Sequence, residues 1–152
     1  MELTERLNGD LRQAMRDRDE IRRTTLRLLL SALHNAEIAR QKPLDEAAAQ
    51  DVLRTQIKQR REAIEQFRQG GRADLAAKEE QELAILMQYM PRQLERDEIV
   101  AEVRRVIDEV GAVGPADTRK VMPVLMARLR NQAEGRVVSE VVRELLAERA
   151  AP

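Results

Sequence analysis

The chain has no cysteine and no tryptophan, and its only aromatic residues are Phe67 and Tyr89. Without thiols there are no disulfides, no zinc knuckles and no cysteine nucleophile. Two rings cannot make a base-stacking platform for single strands, so the core must be packed from Leu, Ile, Val, Met and Ala. His34 is the single histidine, which leaves little to hold a transition metal. Glycine (6) and proline (5) are sparse among 152 residues, so few positions interrupt the abundant Ala, Leu, Glu, Arg and Gln. Those are strong helix formers, and they predict an all-α protein. The longest apolar stretches, such as residues 28–30, are far too short to span a bilayer. The opening MELTERLNGDLRQAM has no run of signal-peptide length. A soluble cytoplasmic protein without membrane contact is expected.

Neither sign of charge prevails. Lysine plus arginine (27) equals aspartate plus glutamate (27), so only the distribution of charge can speak for a polyanionic partner. Arginine outnumbers lysine, which favours bidentate contacts to carboxylate or phosphate.

Apolar residues recur at spacings of three and four through Leu3, Leu7, Leu11, Ala14 and Met15, predicting a first helix that ends near residues 16–18. A second starts at Asp19, a plausible N-cap, with Ile21, Thr25, Leu28, Leu29, Ala32, Leu33 and Ala36 on its buried face. It stops before Pro43, whose ring disfavours a helical Lys42. Asp45 and Glu46 open a third helix, with Val52, Leu53, Ile57, Ile64 and Phe67 as its stripe and Gly70-Gly71 as its left-handed exit. The fourth, from about Arg72 to Met90, buries Leu75, Leu83, Leu86, Met87 and Met90.

The junction Met90-Pro91-Arg92-Gln93-Leu94 divides the chain into an N-terminal helical bundle or hairpin domain, 1–91, and a small three-helix C-terminal domain, 92–152. Texture shifts there from leucine to valine. Ile99, Val100, Val103, Val106, Ile107 and Val110 predict a fifth helix stopped by Gly111. Asp117 is placed to cap a sixth that runs to about Arg130 with Pro123 inside it. A seventh follows from about Gly135 to Glu148. β-branched runs suit strand as well as helix, but the 3–4 spacing and interleaved charges favour helix. A tail this small is marginally stable alone and is expected to lean on the larger domain or on a partner.

Residues suited to bond chemistry are few. Ser31 and His34 share a helix face, half of a hydrolase pair, but an ordinary helix supplies neither an oxyanion hole nor a strained nucleophile. Glu79, Glu80 and Glu82 cluster near Asp74 and Lys78. Paired carboxylates bind magnesium or act as acid and base; they also serve as a solvated face that bridges to a neighbouring basic helix. Gly70-Gly71 and Gly111-x-x-Gly114 match no phosphate loop or dinucleotide fingerprint. No catalytic residue, metal or cofactor is expected.

The positive signal is basic. From Arg54 to Arg72 the cations Arg54, Lys58, Arg60, Arg61, Arg68 and Arg72 face Glu62 and Glu65, an excess of four. A second excess, of three, sets Arg119, Lys120, Arg128, Arg130 and Arg136 against Asp117 and Glu134. Two such patches suit a phosphate backbone; two solvated helix faces explain them as well. With no stacking platform, a nucleic acid held here is recognised by shape and backbone, as a folded RNA is.

Several ordered blocks resemble the YqeY family nearly end to end: LRQAMRDRD, RRTTLRLLLSALHNAEI, KQRREAIEQFRQGGRADLAAKEEQELAIL, QYMPRQL, and RKVMPVLMARLR followed by EGRVVSEVVRELL. The most specific are Gln59-Arg60-Arg61, Gly71-Arg72-x-Asp74-Leu75 and Tyr89-Met90-Pro91-x-Gln93-Leu94. The family's C-terminal part is similar to the tail of GatB, a subunit of the glutamine-dependent aminoacyl-tRNA amidotransferase. Relatives are fused to a glutaminyl-tRNA synthetase, where the module helps to hold tRNA.

The resemblance implies a two-domain helical fold and an association with tRNA amidation. It also carries the label of a carbon–nitrogen ligase with glutamine as amido-N donor, although the amidotransferase's glutaminase and ATP-dependent centres lie in other domains. tRNA is the implied partner, and the two basic runs are expected to supply the phosphate contacts, from Lys58, Arg60, Arg61, Arg68, Arg72, Lys120, Arg128, Arg130 and Arg136. A synthetase or amidotransferase subunit is a further candidate. The alternative is a helical protein–protein interaction module. The chain departs from the family where it has Pro123 in place of glycine and Arg130-Asn131 in place of a Lys-Gly pair.

Overall fold

Acidic caps and residues able to turn left-handed set the helix ends in the first ninety residues. The computed structural model describes residues 1–151. A tight link with Arg18 at φ 55° joins α1 (Glu2–Arg16) to α2 (Glu20–Arg40). Asp19 caps α2: its Oδ1 accepts the Arg22 N–H at 3.1 Å, satisfying a donor the helix leaves unpaired. Gln41, at φ 59°, ends α2 ahead of Pro43. α3 (Glu46–Gln69) begins where Asp45 Oδ1 accepts the Ala48 N–H at 2.7 Å, and Gly71, at φ 71°, turns the chain beyond its end. α4 (Ala73–Met87) stops earlier than the apolar spacing predicts. The N–H groups of Gln88, Tyr89 and Met90 each reach the carbonyl three residues back, tightening the last turn as Pro91 approaches.

These helices form one compact unit, Met1–Met90. Leu7, Leu26, Leu29, Leu53 and Leu86 lie at its centre and are almost wholly buried. Tyr89 packs with them and donates from its hydroxyl to Asp10 Oδ2 at 2.6 Å, tying the unit's last turn to its first helix. The face of α2 differs from the sequence reading. Ile21 and Leu28 are 39% and 47% exposed, and Leu26 takes the core position with Thr25, Leu29 and Leu33. A leucine run at residues 28–30 leaves the phase of the apolar stripe open, and tertiary packing selects one solution. Buried Thr25 is satisfied by donating to the Ile21 carbonyl at 2.8 Å.

The second compact unit, Pro91–Pro152, contains α5 (Arg96–Val110), a 3-10 turn at Pro115–Asp117, α6 (Thr118–Arg128) and α7 (Gly135–Ala150). Glu98 Oε2 accepts the Glu95 N–H at 2.9 Å at the start of α5, and Gly111 leaves that helix at φ 68°. The valine-rich stretches are helical, and Val103, Val106, Val121, Val138, Val141 and Val142 fill the core around Ile107, Leu125 and Leu146. Seven α-helices and no strand occur among the described residues, so the fold is all-α.

Asp117 does not cap α6 with its side chain. Its Oδ2 accepts the Val113 N–H at 2.8 Å, bracing the preceding loop. Pro123 sits exposed inside α6 and cannot donate to the Arg119 carbonyl. α6 ends at Arg128, short of Arg130. Asn131 then turns left-handed at φ 64°. Gln93 Nε2 donates to the Asn131 carbonyl at 2.7 Å and Leu94 N–H to the Gln132 carbonyl at 2.8 Å, holding the unit's opening strand of loop against this turn.

Candidate nucleic-acid interface

The nine cations expected to meet phosphate separate by what each already touches. Arg60 is the deepest. Its side chain is 17% exposed, and Nη1 lies 3.0 Å from Glu79 Oε2 and 2.8 Å from Glu82 Oε2. The Glu79 contact is a hydrogen bond. The Glu82 contact is an ion pair off the direction of one, and both Glu82 Oε2 and Arg60 Nε are buried without a hydrogen-bond partner. Burial pushes the Glu82 carboxyl above its ordinary range, Arg60 pulls it back, and the Glu79 charge raises it again. Arg60 thus neutralises two carboxylates across the α3–α4 hairpin. Removing it would leave buried Glu82 and half-buried Glu79 facing each other uncompensated, so it is not open to a phosphate.

The rest are exposed to differing degrees of commitment. Arg68 pairs with Glu80, and Arg72 grips Asp74 at 3.1 and 3.2 Å. That contact holds the Asp74 carboxyl below its usual range. Arg61 is exposed and lies 3.8 Å from Met87 Sδ. Lys58 is exposed with no ion pair among the described residues. Arg54, which shares its face, has only a loose contact with Asp51 at 3.8 Å.

In the second unit Arg128 forms a two-pronged bond to Glu109 at 2.5 and 3.1 Å, and each group strengthens the charge of the other. Lys120 stands 3.5 Å from Asp117. Arg136 is 78% exposed and only 4.0 Å contact distance links it to Glu134. Arg130 is exposed. Arg119, also exposed, has no ion pair among the described residues. Cations and anions balance within each unit as they do in the whole chain. The acids of α4 serve as the bridging face to the basic helix upstream, through Glu79, Glu80 and Glu82.

Chemistry finds little to build on. Ser31 and His34 are both exposed on α2, and no hydrogen bond among the described residues joins them. No group of three or more acidic or histidine side chains among the described residues is arranged to hold a metal ion. A cleft of about 290 Å³ lies between α2, α3 and α4, lined by Leu28, Gln56, Gln59, Arg60, Ala63 and Glu79. Its two charged groups are already bound to each other. No helix among the described residues is long and apolar enough to cross a membrane.

An all-helical chain in two compact units, one packed mainly with leucine and one with valine, is the class this geometry defines. The family model described as Yqey-like protein matches residues 4–146, and the chain belongs to the YqeY family. It is 38% identical over 113 residues to the altered inheritance of mitochondria protein 41, mitochondrial, of Lachancea thermotolerans, covering 72% of this chain and 60% of that one. The protein of the same name from Eremothecium gossypii is 42% identical over 85 residues, covering 55% of this chain and 46% of its own. The match to that of Saccharomyces cerevisiae strain S288c has the same identity and coverage. The chain thus spans about half to three-fifths of the length of these relatives. Their names place them in mitochondria, which overturns the expectation of a cytoplasmic protein. Missing cysteines and short apolar runs constrain redox chemistry and bilayer crossing; they carry no cellular address.

Proposed function

We propose that the chain is a non-catalytic accessory module that holds tRNA in association with glutamine-dependent tRNA amidation. The observation that carries the reading is the exposed row Arg54, Lys58 and Arg61 on α3, spaced four and three apart with Lys58 unpaired among the described residues. Arg119, Arg130 and Arg136 offer a smaller second set, all exposed. Solvent-exposed ion pairs contribute roughly 0–1 kcal/mol, so a phosphate can displace Glu80, Asp74 or Glu134 from its arginine. Arg60 is left out of the contact set. The link to amidation rests on the likeness of the tail to that of GatB, and the ligase label is not extended to this chain.

Charge balance in each unit means weak steering and modest affinity. Filter binding of bulk tRNA is expected to be measurable at low salt and to fall with salt at a log–log slope of roughly −3, the value for a few released counterions. Lys58→Glu with Arg61→Glu should abolish it. Absent binding at low ionic strength, or indifference to that double reversal, overturns the reading.

A helical module that docks a synthetase or another protein is the second reading. It is favoured by the large hydrophobic residues left in solvent, Met15, Ile21, Leu28 and Ile38 in one unit and Val113 and Met126 in the other. A complex that survives nuclease treatment would support it over tRNA.

A further inference from the structure

The outer face of α2 has no task in either the core or the cationic row, although Leu28 at its middle also lines the cleft beside α3. Ile21, Thr24, Leu28, Ser31, Asn35 and Ile38 follow one another at intervals of three and four, the spacing of the seam between two packed helices. All six are exposed and none is charged, in a chain whose residues are 36% charged. The exposed face of α3 shows what this chain ordinarily presents to water: Arg54, Lys58, Arg61, Glu62 and Glu65. Ile38 is 62% exposed, more than Leu28 or Ile21 on the same helix. The sequence carried the signal in its 3–4–3–4–3 spacing, hidden because Ile21 and Leu28 also fit a buried stripe.

We propose that this face packs against the same face of a second copy of the chain, antiparallel, about a two-fold axis. The argument for that occupant is that the row has nearly the same order of residue types from either end. Reversed upon itself, it sets Ile21 opposite Ile38, Thr24 opposite Asn35, and Leu28 opposite Ser31. Apolar meets apolar at both ends, two hydrogen-bonding side chains meet inside them, and each leucine lies over a serine small enough to leave it room. An isologous interface requires that self-complementarity.

Charge selects the direction. A parallel pairing would stack Glu20 on Glu20 and Arg27 on Arg27. The antiparallel one brings Glu20, which also pairs with Arg23 of its own chain, toward the partner's Gln41–Lys42 end, where Lys42 is exposed with no ion pair among the described residues. The seam is about 26 Å long at 1.5 Å per residue. One helix face from each copy makes a narrow contact, so the dimer is expected to be reversible and concentration dependent.

A chain without cysteine gives a clean background for cross-linking. Ile21→Cys and Ile38→Cys are made separately in the full chain and treated with a short thiol-specific cross-linker, alone and mixed. The mixture is expected to yield a covalent dimer and neither variant alone, because like positions stand about 26 Å apart in the antiparallel pair. Sedimentation of the unmodified protein should show a dimer growing with concentration, and Leu28→Glu should return it to monomer with helical content unchanged. Cross-linking of Ile21→Cys to itself would overturn the antiparallel arrangement. A monomer at every concentration, with no product from the mixture, would overturn self-association and leave the face to a different protein.

Discussion

Arg60 shows how far a residue's meaning depends on what the fold brings to it. In the sequence it is one cation of a basic run, indistinguishable from Arg61 beside it. In the structure it is half-buried and holds Glu79 and Glu82 from a helix that begins beyond a glycine turn, whereas Arg61 is exposed. A count of charges per segment could not assign partners nineteen and twenty-two residues away. Arg60→Met keeps much of the apolar stem but leaves buried Glu82 and half-buried Glu79 side by side without their cation. Breaking such a cluster is expected to cost about 3 kcal/mol, read as a lower denaturant midpoint, with tRNA affinity unchanged. The loss should shrink as pH falls, because Glu82, whose protonation burial already favours, takes up a proton and relieves the repulsion. A deficit that grows in acid would contradict the cluster's role.

Helices were the most legible level. Asp19, Asp45, Gly71 and Gly111 mark ends in the sequence and act at those ends in the structure, since a cap needs only local chemistry. What local chemistry could not give was rotation about the axis. Thr25, Leu26, Leu28, Leu29 and Leu30 permit several apolar faces, and only packing against α1, α3 and α4 decides among them. The turn after α6 was similarly opaque. Asn131 stands there left-handed, a backbone that side chains other than glycine and asparagine resist. Asn131→Gly is expected to leave stability unchanged or raise it by up to about 1 kcal/mol, whereas Asn131→Ala should lower it by about 1–2 kcal/mol. Thermal midpoints of the two variants check this, and equal midpoints would mean that the turn carries no strain.

At the scale of the molecule, the all-helical class followed from composition, but the electrostatic character did not. Two runs of excess cation suggested open basic patches, and neighbouring acids answer most of them, leaving each unit neutral. Long-range ties were invisible for the same reason. The Tyr89 hydroxyl reaches Asp10 across 79 positions of sequence, and burial together with that bond pushes its pKa up to about 12. An unfolded tyrosine ionises near its ordinary value of 10.0, so between the two values the folded state holds the extra proton. Stability should therefore fall as pH rises through that window, by about 2–3 kcal/mol in all. Tyr89→Phe should remove this alkaline slope and cost about 1–2 kcal/mol at neutral pH through the lost hydrogen bond. Denaturant titrations across pH 7–12 check both, and an unchanged slope would assign it to other groups.

Both aromatic rings lie before residue 91. Near-ultraviolet light therefore sees only half of this protein. Phenol emission from Tyr89 follows the loosening of the leucine-packed helices and is blind to the valine-packed ones, whereas far-ultraviolet dichroism registers all seven. The gap between those two melting curves is a direct optical measure of how independently the halves come apart, with no label attached.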